Sequence, residues 1–124
     1  MKKKKNILVV DDMFPILTMI RSLLRAEFQV LPANSGKDAI AFLQRSDLQI
    51  DLVMLDLDMP GMSGFELLRE IKNDPKWRHL PVIILTGNAD LDSVVRAAQG
   101  GAMDYILKPF TEEILKKKVR AALK

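Results

Sequence analysis

A chain of 124 residues, 48% of them hydrophobic, suits one domain with a real core, burying roughly two-thirds of its unfolded surface. It contains no cysteine, which excludes a disulfide framework and thiolate chemistry and suits a reducing compartment. The formal charge of +3 is terminal: setting aside Lys2–Lys5 leaves 15 of the 19 basic residues against 16 acidic ones, and no aromatic residue interleaves that run or Lys116–Lys118, so direct nucleic-acid binding is not expected.

The apolar run after the lysines, NILVV (6–10), ends at once in Asp11 and Asp12. It is too short for a signal peptide or a membrane span, so a soluble cytoplasmic protein without membrane attachment is expected. Its β-branched composition predicts a first strand. In PILTMIRSLLRAEF (15–28), Ile16, Met19, Ile20, Leu23 and Leu24 recur at helical spacing, with Pro15 acceptable in the first turn. QVLPA (29–33) is a weaker second strand, and Ser35-Gly36 opens a helix over KDAIAFLQRS (37–46). DLVMLDL (51–57) is the third and most apolar strand. Ser63 can cap GFELLREIKN (64–73), and Asp74-Pro75 stops it. LPVIILTG (80–87) is the fourth strand, and ADLDSVVRAAQG (89–100) is a helix that Gly100-Gly101 ends. MDYILK (103–108) is the fifth. Beyond Pro109, Thr111 can cap a last helix that has Glu112 and Glu113 in its first turn and lysines further on, the favourable order for the helix dipole.

Continuous apolar strands alternating with helices predict an α/β sandwich: a doubly wound five-stranded parallel sheet with helices on both faces. No linker, repeat or second domain interrupts it, so residues 1–124 read as one domain with a basic tail over 1–5. In such sheets sites form at the carboxyl ends of the strands. Strand one ends in Asp11 and Asp12, strand three in Asp56, strand four in Thr86 and strand five in Lys108-Pro109. Singly these have ordinary explanations: an Asp at a strand end is usually a cap or turn former, and Thr86-Gly87 is common turn composition. Jointly, four of five strands deliver site chemistry to one edge. Three carboxylates there would repel unless a hard divalent cation with oxygen ligands relieved them, and Lys108 adds a point charge suited to a phosphoryl oxygen.

With Asp11-Asp12, Asp56 ahead of Asp58-Met59-Pro60-Gly61, Thr86-Gly87 and Lys108-Pro109-Phe110 in this order, the chain resembles the receiver domains of bacterial two-component response regulators, particularly the stand-alone chemotaxis type, from about Lys5 to Leu123. The resemblance implies a flavodoxin-like (βα)5 fold with strand order 2-1-3-4-5. It implies that Asp56 accepts a phosphoryl group from a phosphohistidine on a histidine kinase or histidine phosphotransfer protein, or from a small donor such as acetyl phosphate. Such a domain promotes its own phosphorylation and dephosphorylation without being a turnover enzyme. Asp11, Asp12, Asp56 and the backbone carbonyl of Asp58 would hold Mg²⁺, with Mn²⁺ a substitute. Lys108 would pair with the phosphoryl group, Thr86 would move towards it, Gly87 would support the site, and Pro109 would follow a cis bond. Tyr105 matches an aromatic switch position that turns inward when Thr86 moves, altering a partner face built from the fourth helix, fifth strand and fifth helix. By composition alone it could equally be a half-buried packing residue.

Three positions vary. The Asp58 side chain faces the site mouth in the family and affects phosphoryl lifetime, as does position 88, here Asn88. Met13 is more apolar than that position usually is, and either alters metal access or packs against a loop. Asp-x-Asp at 56–58 also fits haloacid-dehalogenase-type phosphatases, but their nucleophile ends the first strand and a larger chain supplies a lid. A flavin-mononucleotide binder of the same sheet order would want a glycine- and hydroxyl-rich loop where this chain has DDMFP. A docking module with the fold but without the chemistry is the remaining alternative. Residues 1–124 leave no room for a DNA-binding or catalytic effector domain, so a downstream protein target or an effector segment outside this sequence is expected. The chain would act as a monomer or as a phosphorylation-promoted dimer. A single-domain regulator, a phosphorelay intermediate and a receiver from a longer protein would all share this sequence.

Overall fold

The structure, a computed structural model, describes residues 3–87 and 90–124. Its elements in chain order are β1 (Asn6–Val10), α1 (Phe14–Leu24), β2 (Gln29–Ala33), α2 (Gly36–Leu43), β3 (Leu52–Asp56), α3 (Gly64–Asn73), β4 (Val82–Thr86), α4 (Leu91–Gln99), β5 (Asp104–Leu107) and α5 (Glu112–Ala122). The strands form one parallel sheet in the order β2-β1-β3-β4-β5, the doubly wound flavodoxin-like arrangement.

Alternation along the strands divides the core between the two sheet faces. Ile7, Val9, Leu52, Met54, Ile83 and Leu85 pack with Leu17, Ile20 and Leu24 of α1 and with Leu115 and Val119 of α5. Leu8, Val10, Val53, Leu55, Val82 and Ile84 pack with α2, α3 and Ala97 of α4. The central strands β3 and β4 are buried along their whole length, whereas β2 and β5 at the edges keep exposed positions. That is why the apolar run of β2 reads as weaker.

The helix ends follow from local chemistry. Ser35, Ser63, Asp90 and Thr111 all accept N-terminal amide hydrogens, and Ser63 with Glu66 forms a reciprocal capping box. Helix α1 ends at Leu24, short of Phe28, because the chain must reverse into β2: the Phe28 N–H bonds to the Leu24 carbonyl at 2.9 Å while its ring is buried. Gly101, at φ +104°, makes the left-handed turn after α4. Every helix starts at the edge where the strands end, so strand ends and helix N-termini share one rim. No helix among the described residues is long and apolar enough to cross a membrane.

Candidate functional site

The site is built on that rim, between the middle strands. Asp11 follows β1 and is fully buried, Asp56 closes β3 at 5% exposure, and Thr86 closes β4 and is buried. Asp12 is exposed at the mouth. One carboxylate oxygen from each of Asp11, Asp12 and Asp56 lies within 4.8 Å of the others. Lys108 reaches in from the end of β5, with Nζ 2.6 Å from Asp11 Oδ2 and 3.6 Å from Asp56 Oδ2. Its backbone N–H bonds to the Thr86 carbonyl at 2.7 Å, which fixes where the side chain starts.

Two short turns aim the carboxylates. The Met13 N–H donates to Asp11 Oδ1 at 2.9 Å and the Asp58 N–H donates to Asp56 Oδ1 at 3.2 Å, each a side chain folding onto the backbone two residues on. Each bond ties down one carboxylate oxygen and leaves the other, Oδ2, towards Lys108. Burial pushes the Asp56 carboxyl up to about 6; Lys108 and the Asp58 N–H oppose the rise, and the charges on Asp11 and Asp12 add to it. A set of crowded, all-oxygen acidic donors fits a hard divalent cation such as Mg²⁺ or Mn²⁺, whose charge would offset the cost that raises Asp56.

The other expected residues are placed as follows. The Lys108–Pro109 peptide is cis. Tyr105 sits on β5 facing outward at 40% exposure, beside Thr86 on the same sheet face, with a cavity of about 230 Å³ between β5 and α4. A Cβ built on Gly87 meets no atom of the described residues within 4 Å, so no steric need for glycine is found among them. Asp58 is exposed at the mouth, and Met13 is 53% exposed and does not pack into the core. Position 88 lies outside the described residues. Two of the three lysines in the run 116–118 are engaged within the chain: Lys116 with Glu112, and Lys118 with Asp104.

Gly64 was not singled out by sequence reasoning, yet it shapes the site. A Cβ there would lie 2.1 Å from the Asp56 carbonyl oxygen, and the Gly64 N–H bonds to the Leu57 carbonyl at 3.0 Å. Helix α3 therefore begins directly against the backbone of Asp56. The signal available in the sequence was a glycine just after a capping serine, at a position where glycine is otherwise unfavourable.

The sequence profile described as the response regulator receiver domain matches residues 7–120. The chemotaxis protein CheY of Pseudomonas aeruginosa is 37% identical over 116 residues, which is 92% of each chain. The phosphate regulon transcriptional regulatory protein PhoB of the same organism is 38% identical over 121 residues, 97% of this chain but 52% of that one. Among solved structures, chemotaxis protein CheY4 of Vibrio cholerae superposes with a TM-score of 0.91 at 28% identity, covering 98% of this chain and all of that one.

Proposed function

This chain belongs to the response regulator receiver domain family, and from that premise we propose that residues 1–124 form a single, cytoplasmic phosphoacceptor domain in which Asp56 is the nucleophile. The observation that carries this reading is the convergence of the Asp11, Asp12 and Asp56 carboxylates within 4.8 Å, with the Lys108 ammonium 3.6 Å from Asp56. A carboxylate needs no base to activate it, but it attacks phosphorus weakly in water. It is effective where the charge on the transferred group is met by fixed partners and attack is in line.

In the proposed reaction an Asp56 oxygen forms a bond to the phosphorus of a phosphohistidine while the phosphorus–nitrogen bond breaks and its electron pair returns to the imidazole. The donor is a histidine kinase or a histidine phosphotransfer protein, and acetyl phosphate can replace it. Asp11, Asp12, Asp56 and the Asp58 carbonyl would hold Mg²⁺, which when bound supplies positive charge to the phosphoryl oxygens. Lys108, now paired with Asp11, would turn its ammonium to one phosphoryl oxygen. The Thr86 hydroxyl would donate to another. Hydrolysis of the acyl phosphate by water would reset the domain, and the Asp58 side chain, which is exposed, would influence that step through its charge.

Signalling then follows from movement of Thr86 and Tyr105, which occupy the same sheet face on neighbouring strands. The surface they border, formed by α4, β5 and α5, exposes Leu91, Val95, Tyr105, Leu107 and Ile114, an apolar area suited to a downstream protein or a second copy. The test uses acetyl phosphate with Mg²⁺: the native chain becomes labelled, and Asp56→Asn reduces labelling at least about tenfold, because an amide is a far weaker nucleophile. Undiminished labelling of the variant would remove Asp56 from its role.

A further inference from the structure

The Lys118 ammonium makes three contacts with one short piece of β5. It donates to the Tyr105 carbonyl at 2.7 Å, pairs with Asp104 Oδ1 at 3.0 Å, and lies 4.9 Å from the centroid of the Tyr105 ring. Asp104 Oδ1 also accepts the Tyr105 N–H at 2.8 Å. Carboxylate, carbonyl and aromatic face are thus gathered around a single cation projecting from α5.

The Tyr105 ring also borders the cavity of about 230 Å³ between β5 and α4. Its walls are largely apolar and partly small, with Ile84, Val94, Ala97 and Ala98 among them, and Thr86 and Tyr105 also line it. Alanines along α4 leave the space that a larger residue would fill. Tyr105 therefore has two places to be: outward, against the Lys118 charge, or inward, against the alanines. Burying the ring recovers apolar area, whereas the outward position keeps the cation against the ring face. Only the outward position depends on Lys118 for its ring contact.

We infer that Lys118 is a positioning residue that holds Tyr105 outward in the unphosphorylated domain, so its charge sets how many molecules already have the inward ring before any phosphoryl group arrives. The inference rests on the proposed Thr86–Tyr105 switch and adds the element that biases it. An ammonium–aromatic contact at a partly exposed site shifts a two-state equilibrium by about two- to fivefold, enough to change the basal signal without locking the switch.

Tyr105 is the only tyrosine in the chain, so 3-fluorotyrosine incorporation gives one fluorine resonance that reports this ring alone. The inward limit is set with beryllofluoride and Mg²⁺. Without them, Lys118→Met, which keeps an unbranched side chain but removes the charge, is expected to move the resonance towards that limit by an inward population about two- to fivefold larger. Lys118→Arg, which keeps a cation over the ring, should stay near the native position. An unmoved resonance in Lys118→Met would overturn the inference, as would an Arg variant that shifts as far as Met. If beryllofluoride and Mg²⁺ fail to move the resonance of the native protein, the switch itself is wrong and the inference falls with it, a result distinct from either of the others.

Discussion

Asp56 is held in the fold at an electrostatic cost, and that cost has a measurable sign. Its carboxyl is raised from 3.8 to about 6, chiefly by burial. A carboxyl with a higher pKa in the folded state than in the unfolded state takes up a proton on folding between those values. Its contribution therefore favours folding at low pH and is lost as pH rises from 3.8 through about 6. A shift of this size would correspond to about 3 kcal/mol at full strength, and solvent reaching the crevice mouth reduces it to about 1–2 kcal/mol. With divalent cations chelated, Asp56→Asn should thus be more stable than the native chain by about 1–2 kcal/mol at pH 7.5, with the gain shrinking towards pH 4. Urea unfolding at both pH values measures it, and an Asn variant less stable at pH 7.5 would contradict the assigned strain. Asp11, Asp12, Asp56, Thr86 and Lys108 were legible in the sequence because each stands where an apolar strand stops, and a parallel sheet brings those stops together. Gly64 left only the faint mark of a glycine directly after a capping serine, and the contact between Lys118 and Tyr105 left none, because both depend on distances between elements.

At the scale of elements, α3 shows two opposing local effects at one residue. Replacing a helical glycine by alanine ordinarily stabilises a helix by about 0.5–1 kcal/mol. At Gly64 the added carbon would meet the Asp56 carbonyl oxygen at 2.1 Å, and that obstacle is backbone with little freedom to yield. Overpacking of this kind costs about 1–3 kcal/mol, so steric crowding wins. Gly64→Ala should lower stability by about 1–2 kcal/mol and slow labelling by acetyl phosphate, since α3 and the Asp56 backbone must separate. Gly87→Ala, whose added carbon meets none of the described residues, should leave stability within about 0.5 kcal/mol. Equal urea midpoints for the native chain and Gly64→Ala would show that α3 can retreat at no cost. The boundaries of β1 and α3 could be read from local sequence, because a β-branched run stops at Asp11 and because Ser63 starts the helix that Asp74-Pro75 stops. The end of α1 could not, because the helical spacing continues past the point where the chain has to turn into β2.

At the scale of the whole molecule, the topology converts a preference of single helices into a charge axis. All five helices start at the rim that carries Asp56, and acidic residues occupy the first turns of α2, α3, α4 and α5. Basic residues occupy the last turns of α1, α3, α4 and α5. Each placement complements its own helix dipole, and because the helices run the same way the placements add. The N-terminal lysines belong to this axis. Lys4 Nζ donates to the Arg25 carbonyl at the end of α1, at 2.7 Å, and Lys5 Nζ donates to the Leu123 carbonyl at the end of α5, at 3.1 Å. A run that looked like a solvated tail thus satisfies the ends of the two helices covering one sheet face. Cations at exposed helix C-termini stabilise by about 0.3–1 kcal/mol each. The double change Lys4→Gln and Lys5→Gln should therefore cost about 1 kcal/mol at low ionic strength, even though it brings the net charge closer to zero. Salt screens such contacts, so most of the loss should vanish at about 1 M, where the screening length is about 3 Å. Urea unfolding at the two ionic strengths measures this. A loss that persists undiminished in high salt would assign the contribution to hydrogen bonding alone, and no loss at either would return the lysines to solvent.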